Sequence, residues 1–143
     1  MRKRGDLKYE DINADILEQK GYKIEQRGDL TAADRTDGLD VTKKPDYKLT
    51  DANGKSYYFD AATPRSGGNN PRSFWGTNNV GDKLRKKQAD RFVVNLGRLT
   101  AAEEIQYIKQ VRNWGVEVAE GTTTIPRQII IIKRDGLILD HFE

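Results

Sequence analysis

The sequence predicts an α/β domain in which helices flank a mixed β-sheet, and three observations predict it. Helical and strand patterns alternate along the chain instead of separating into blocks. The run Asp51-Ala52-Asn53-Gly54 carries turn residues between two strand-like segments, which makes a hairpin. The length, 143 residues, is enough for one domain with its own core and too little for two ordinary ones.

Residues 1–8, MRKRGDLK, read as a linker ahead of a domain spanning 9–143. From Tyr9 to Lys20, Glu10, Ala14 and Leu17 share one helical face with Ile12 and Ile16 on its flank, and Gly21 ends the helix. Tyr22 to Gln26 is a short strand. Arg27 to Lys44 holds scattered apolar residues among Gly, Asp and Thr, and reads as a long irregular excursion of the kind that often carries function. Pro45 opens a strand at Asp46 to Leu49, which the turn joins to a second strand, Ser56 to Ala62.

A loop rich in Gly, Asn and Pro follows from Pro64 to Asn79, then a helix from Val80 to Ala89 and a strand from Arg91 to Leu96. Thr100 and Glu103 have capping-box spacing, so a helix starts there. It runs to Asn113 and is expected to bury Ile105, Ile108 and Val111. Ile129 to Ile132 form a buried strand, and Arg134-Asp135-Gly136 turns it towards Leu137 to Leu139. The chain has no internal repeat.

Composition narrows the chemistry. Hydrophobic residues are 36% of the chain and charged residues 33%, which predicts a small core under a wet surface. No apolar run approaches the roughly 20 residues of a membrane span, and the first residues lack the apolar segment of a signal peptide, so a soluble domain is expected. The absence of cysteine excludes disulfides, thiolate zinc sites and cysteine nucleophiles. One histidine, His141, excludes a two-imidazole ribonuclease and reads as a surface or strand-end residue. Any metal must then be held mainly by oxygen.

The net charge is only +3, but it is unevenly spread. Between Pro64 and Arg91, seven basic residues (Arg65, Arg72, Lys83, Arg85, Lys86, Lys87, Arg91) face two acids, Asp82 and Asp90, so this window carries +5 and the remainder −2. Asn69, Asn70, Phe74, Trp75, Asn78 and Asn79 lie among these cations. Cations, amides and stackable rings together suit phosphate and unpaired bases, although a charge run also describes a plain solvated face. Arg65, Arg72, Trp75, Lys86, Lys87 and Arg91 are the candidate substrate-holding residues.

Asp46 and Asp60 stand at the ends of the central hairpin, where strand pairing brings them together. A carboxylate in an apolar strand is costly to bury unless neutralised, and a hard divalent cation is one way to do it; two exposed turn-edge aspartates are the other reading. Glu10, on the buried side of the first helix, is a candidate third oxygen ligand or else an exposed helix-start acid favoured by the dipole. Lys83 and Lys87 flank the Val80 and Leu84 stripe, whereas Arg85 points away, so one lysine faces the sheet unless both snorkel to solvent. Such a set suits phosphodiester hydrolysis: carboxylates hold a metal that activates water, and an ammonium neutralises transition-state charge.

The ordered series Glu10, Gly21-Tyr22-Lys23-Ile24-Glu25-Gln26, Pro45-Asp46-Tyr47, Phe59-Asp60 with Pro64 four residues later, Lys83, Gln88-Ala89-Asp90-Arg91 and Val93-Val94-Asn95-Leu96 resembles the C-terminal tRNA-nuclease toxin domains of contact-dependent growth inhibition (CdiA) proteins. The resemblance runs from about Tyr9 to about Leu139. It implies the PD-(D/E)XK nuclease fold and cleavage of tRNA in a competing bacterium, dependent on a divalent metal: Mg2+, with Mn2+ or Zn2+ as alternatives. It also implies a cognate immunity protein, and delivery to the target-cell cytoplasm from a larger secreted or surface-displayed protein.

Carried over by position, Glu10, Asp46 and Asp60 match the family's metal-binding acids, and Lys83 matches the lysine ahead of its Gln-Ala-Asp-Arg segment. The wider superfamily keeps its lysine two residues beyond the second acid, a place taken here by Ala62, so Lys83 would deliver the ammonium from the next helix, with Lys87 in reserve. Thr63 and Ser66 fall near small hydroxyl positions that contact a phosphate or an aspartate, or are turn residues. Gln88 and Asn95 offer amides that order the site or satisfy backbone groups. Three rivals stay open: a DNA-cutting enzyme of the same fold, a nucleic-acid-binding module without chemistry, and an antidote in place of a toxin.

Overall fold

The computed structural model describes residues 4–26, 46–68, 70–75, 79–86, 89–112 and 126–141. Its elements in chain order are α1 (Arg4–Gln19), β1 (Lys23–Gln26), β2 (Tyr47–Thr50), β3 (Ser56–Ala62), α2 (Pro71–Ser73), α3 (Val80–Arg85), β4 (Arg91–Asn95), α4 (Ala101–Arg112), β5 (Gln128–Ile132) and β6 (Ile138–His141). The strands form one six-stranded mixed sheet in the order of the sequence. β1, β2 and β3 are antiparallel neighbours, β3, β4 and β5 run parallel, and β6 returns antiparallel.

Strand alternation divides the core into two layers. On one face α1 lays Ala14 and Leu17 against Tyr47, Leu49, Phe59, Val93, Ile130 and Ile132. On the other, Leu84 of α3, Tyr107 and Val111 of α4, and Phe74 and Trp75 cover Ala62, Phe92, Val94, Ile129 and Ile131. Covered on both faces, β4 and β5 are buried at every position, as parallel strands with near-continuous apolar runs are.

The expected α/β architecture is present, with adjustments that have physical causes. The first helix begins at Arg4, inside the segment read as a linker. The excursion read at 27–44 lies outside the described residues, and α3 ends at Arg85. On α4, Tyr107 and Val111 are buried and Ile108 is partly so, whereas Ile105, expected in the core, is 69% exposed. The stripe that meets the sheet follows the i, i+4 pair Tyr107 and Val111, and at 100° per residue Ile105 points about 200° from Tyr107.

Candidate active site

The site begins with a hairpin turn. Asp51 Oδ1 accepts from the main-chain N–H groups of Asn53 (2.9 Å) and Lys55 (3.0 Å), and Gly54 takes the positive φ the turn requires, +81°. These contacts set the β2–β3 register, in which Tyr47 pairs with Phe59 and Lys48 with Tyr58. One step beyond, Asp46 stands across from Asp60. Asp46 N–H donates to Phe59 O at 3.1 Å, and its Oδ2 accepts from Ala61 N–H at 2.8 Å. From α3, Lys83 Nζ donates to Ala61 O at 3.4 Å. Ala61, the residue after Asp60, is therefore gripped on its N–H by a carboxylate and on its carbonyl by an ammonium.

Asp60 is 2% exposed and Asp46 5%. Two carboxylates removed from water at adjacent register positions carry a large desolvation cost that a cation offsets. Asp60 makes other polar contacts, yet its Oδ1 is buried and accepts no hydrogen bond from the described residues. One or two carboxylates completed by water and phosphate oxygens are the usual protein share of a magnesium site, so this pair fits a hard dication.

Glu10 is buried as expected, but over the other layer. Its carbonyl accepts from Tyr47 Oη at 2.7 Å on the α1 face, while the register of Asp60 with Phe92 turns Asp60 to the face of α3 and α4. Among the described residues no group of three acidic or histidine side chains is arranged to hold a metal ion. The expected third ligand is thus not gathered to the aspartate pair.

The Glu10 carbonyl ends a buried polar chain in which Asn95 satisfies a backbone group as expected, while the part of Asn13 was not anticipated. Gly97 N–H donates to Asn95 Oδ1 (2.7 Å), Asn95 Nδ2 to Asn13 Oδ1 (2.8 Å) and Asn13 Nδ2 to Tyr47 Oη (3.4 Å). The chain ties the end of β4, α1 and the start of β2 together. A signal was available: Asn13 shares the Glu10, Ala14, Leu17 face at i+3, so it had to be buried among them. Gly97 is required there, because an added Cβ would lie 2.8 Å from Asn95 Oδ1.

The expected substrate-holding residues divide. Arg65 and Arg72 are exposed, and Lys86 is exposed with an ion pair to Asp82 at 3.0 Å. Lys87 and Gln88 lie outside the described residues, and Thr63 is half-buried just past β3. Two expectations need correction. Trp75 is 0% exposed: its indole N–H donates to Tyr107 O at 3.0 Å and its ring meets Phe74 edge-on, so no face is open to a base. Arg91 is buried within the sheet, its guanidinium 4.1 Å from the Tyr57 ring centroid and hydrogen-bonded to Gln128 Oε1, so it serves packing.

Ser66 is exposed, in the turn that Glu103 contacts at Gly67. Glu103 closes the expected capping box, accepting from Thr100 N–H at 2.8 Å through Oε1, and its Oε2 accepts from Gly67 N–H at 3.0 Å. These donors, Thr100 N–H first and then Gly67 N–H, hold its carboxyl at about 2 against an ordinary 4.5. The carboxylate favours folding while it is ionised, so its contribution is complete above the ordinary value and is lost as pH falls through about 2. Acid titrations of wild type and Glu103→Gln should therefore show a wild-type stability advantage at neutral pH that shrinks below pH 4.5; an advantage independent of pH would contradict this.

A mixed six-stranded sheet flanked by helices in a single domain, with opposed buried aspartates and a lysine on one main-chain residue, is consistent with an α/β nuclease-like toxin fold. Among solved structures the chain is similar to a chain of the CdiA-CT/CdiI toxin and immunity complex from Burkholderia pseudomallei, with a TM-score of 0.60 and 26% sequence identity over 95% of this chain and 83% of that one. The resemblance to CdiA toxin domains therefore extends to three dimensions. No protein-family model matches the chain, and no curated protein matches it.

Proposed function

We propose that the chain is a contact-dependent growth inhibition toxin of PD-(D/E)XK type. In this reading it is a divalent-metal-dependent endoribonuclease that cleaves tRNA in a competing bacterium and is neutralised by a cognate immunity protein. The observation that carries the reading is the double grip on Ala61, with Asp46 Oδ2 on its N–H and Lys83 Nζ on its carbonyl, beside buried Asp60. Support for the partner comes from the similar Burkholderia structure, which is that of a toxin and immunity complex. Among the described residues no helix is long and apolar enough to cross a membrane.

A dication bound by Asp46 and Asp60 would supply a polarised phosphate oxygen and an acidified water. The side chains do the rest. Lys83, already donating to a main-chain oxygen next to Asp60, is within reach to donate to a phosphate oxygen as negative charge builds on the pentacoordinate transition state. Asp46 holds the Ala61 N–H and so keeps the backbone of Asp60 in place. Arg65 and Arg72, exposed beyond β3, supply cations for the phosphate backbone.

The test is incubation of the chain with total bacterial tRNA and, separately, with plasmid DNA in magnesium, with and without chelator. Cleavage of tRNA alone, stopped by chelator, is expected, and sequencing the new RNA ends would identify the cut. Plasmid cleavage with tRNA intact would replace the substrate class, and no cleavage with Mg2+, Mn2+ or Zn2+ would refute the enzymatic reading. Expression in bacteria should arrest growth; harmless expression would favour the antidote.

A further inference from the structure

The loop between β3 and α2 is the shortest path from Asp60 to the exposed cations Arg65 and Arg72. Its first turn runs from Arg65 to Gly68, closed by Gly68 N–H donating to Arg65 O at 3.0 Å, with Gly67 at φ +72°. The turn is not left to itself. Glu103, on the first turn of α4 and 36 residues away along the chain, accepts from Gly67 N–H at 3.0 Å.

A capping box needs only one carboxylate oxygen, and here Oε1 meets that need at Thr100 N–H. Oε2 is spent on the loop. α4 is itself fixed to the sheet by buried Tyr107 and Val111. Glu103 thus transmits the position of a rigid helix to the turn that Arg65 heads. Exposed loops order poorly when held by local contacts alone, and ordering a cation in advance removes part of the entropy cost of binding.

From this geometry we infer that Glu103 is a positioning residue for the substrate: it anchors the 65–68 turn so that Arg65 is presented to the RNA phosphate backbone. The inference rests on the RNA-cleaving reading above and adds a residue that touches neither substrate nor metal.

Binding of total tRNA, measured in chelator so that no turnover occurs, tests it with wild type, Glu103→Ala and Thr100→Ala. Thr100→Ala removes the hydroxyl that caps Glu103 N–H at 3.2 Å but leaves both Glu103 oxygens on their main-chain donors, so it weakens the helix start without freeing the loop. The expected result is affinity about tenfold weaker for Glu103→Ala, the scale of one charge-assisted contact, and within about twofold of wild type for Thr100→Ala. Hydrogen exchange should accelerate at Gly67 and Gly68 in Glu103→Ala only. Equal losses in both variants, or unchanged affinity in Glu103→Ala, would overturn the inference while wild-type binding stands. Wild type that does not retain tRNA overturns the parent reading and this one together, and is seen before any variant is compared.

Discussion

Asp60→Asn is expected to lower tRNA cleavage by at least about a thousandfold while leaving the circular-dichroism spectrum and thermal transition of a folded domain. The side chain keeps its size and loses its charge, so the buried position beside Phe92 in the sheet register stays filled while the cation is no longer held. Lys83→Ala should cost about 10²- to 10³-fold in rate, the scale of removing one donor to transition-state charge. Lys83 is half-buried and reaches a carbonyl at 3.4 Å, so its loss should barely move stability. Cleavage at wild-type rate in both variants would remove the aspartate pair and Lys83 from the chemistry. Activity that survives Lys83→Ala alone would pass the ammonium role to Lys87.

The other large effect lies away from the chemistry. Trp75→Ala is expected to destabilise the domain by about 3–5 kcal/mol, the cost of truncating a wholly buried tryptophan. The indole is packed against Phe74 and Tyr107, with ring centroids 4.9 and 6.4 Å away, and ties the segment just after α2 to α4 through Tyr107 O. Trp75→Phe keeps most of the packing and loses the hydrogen bond, so about 1 kcal/mol is expected. Denaturant unfolding of both variants measures this. If Trp75→Ala were as stable as wild type and bound RNA less tightly, the ring would be a stacking surface after all.

These two sites also mark what the chain disclosed in one dimension. The Asp46–Asp60 encounter was legible because Asp51, Asn53 and Gly54 specify a turn, and a turn determines strand register by counting. β3 occupies Ser56–Ala62, the span expected for the strand after the turn, and the capping box at Thr100 and Glu103 formed with both reciprocal bonds. Trp75 was illegible because a tryptophan in a Gly- and Asn-rich loop has the same local pattern whether α4 covers it or solvent does.

Glu10 shows the same limit. Its helical face predicted burial correctly, but which sheet face α1 would cover depends on chain crossings that no local period encodes, and that choice separates it from Asp60. The second function of Glu103 was hidden for a related reason: a capping box is local, while its contact with Gly67 spans 36 residues. The Asn13–Asn95 bond spans 82 residues and had only the helical position of Asn13 to suggest it.

Everything enzymatic rests on Asp46 and Asp60 accepting a dication between them. Titration of Mn2+ into the purified chain, followed by electron paramagnetic resonance without any RNA present, measures that directly. Wild type and Lys83→Ala should each bind the ion, and Asp60→Asn and Asp46→Asn should each lose it. Equal Mn2+ binding by wild type and both aspartate variants would contradict the account.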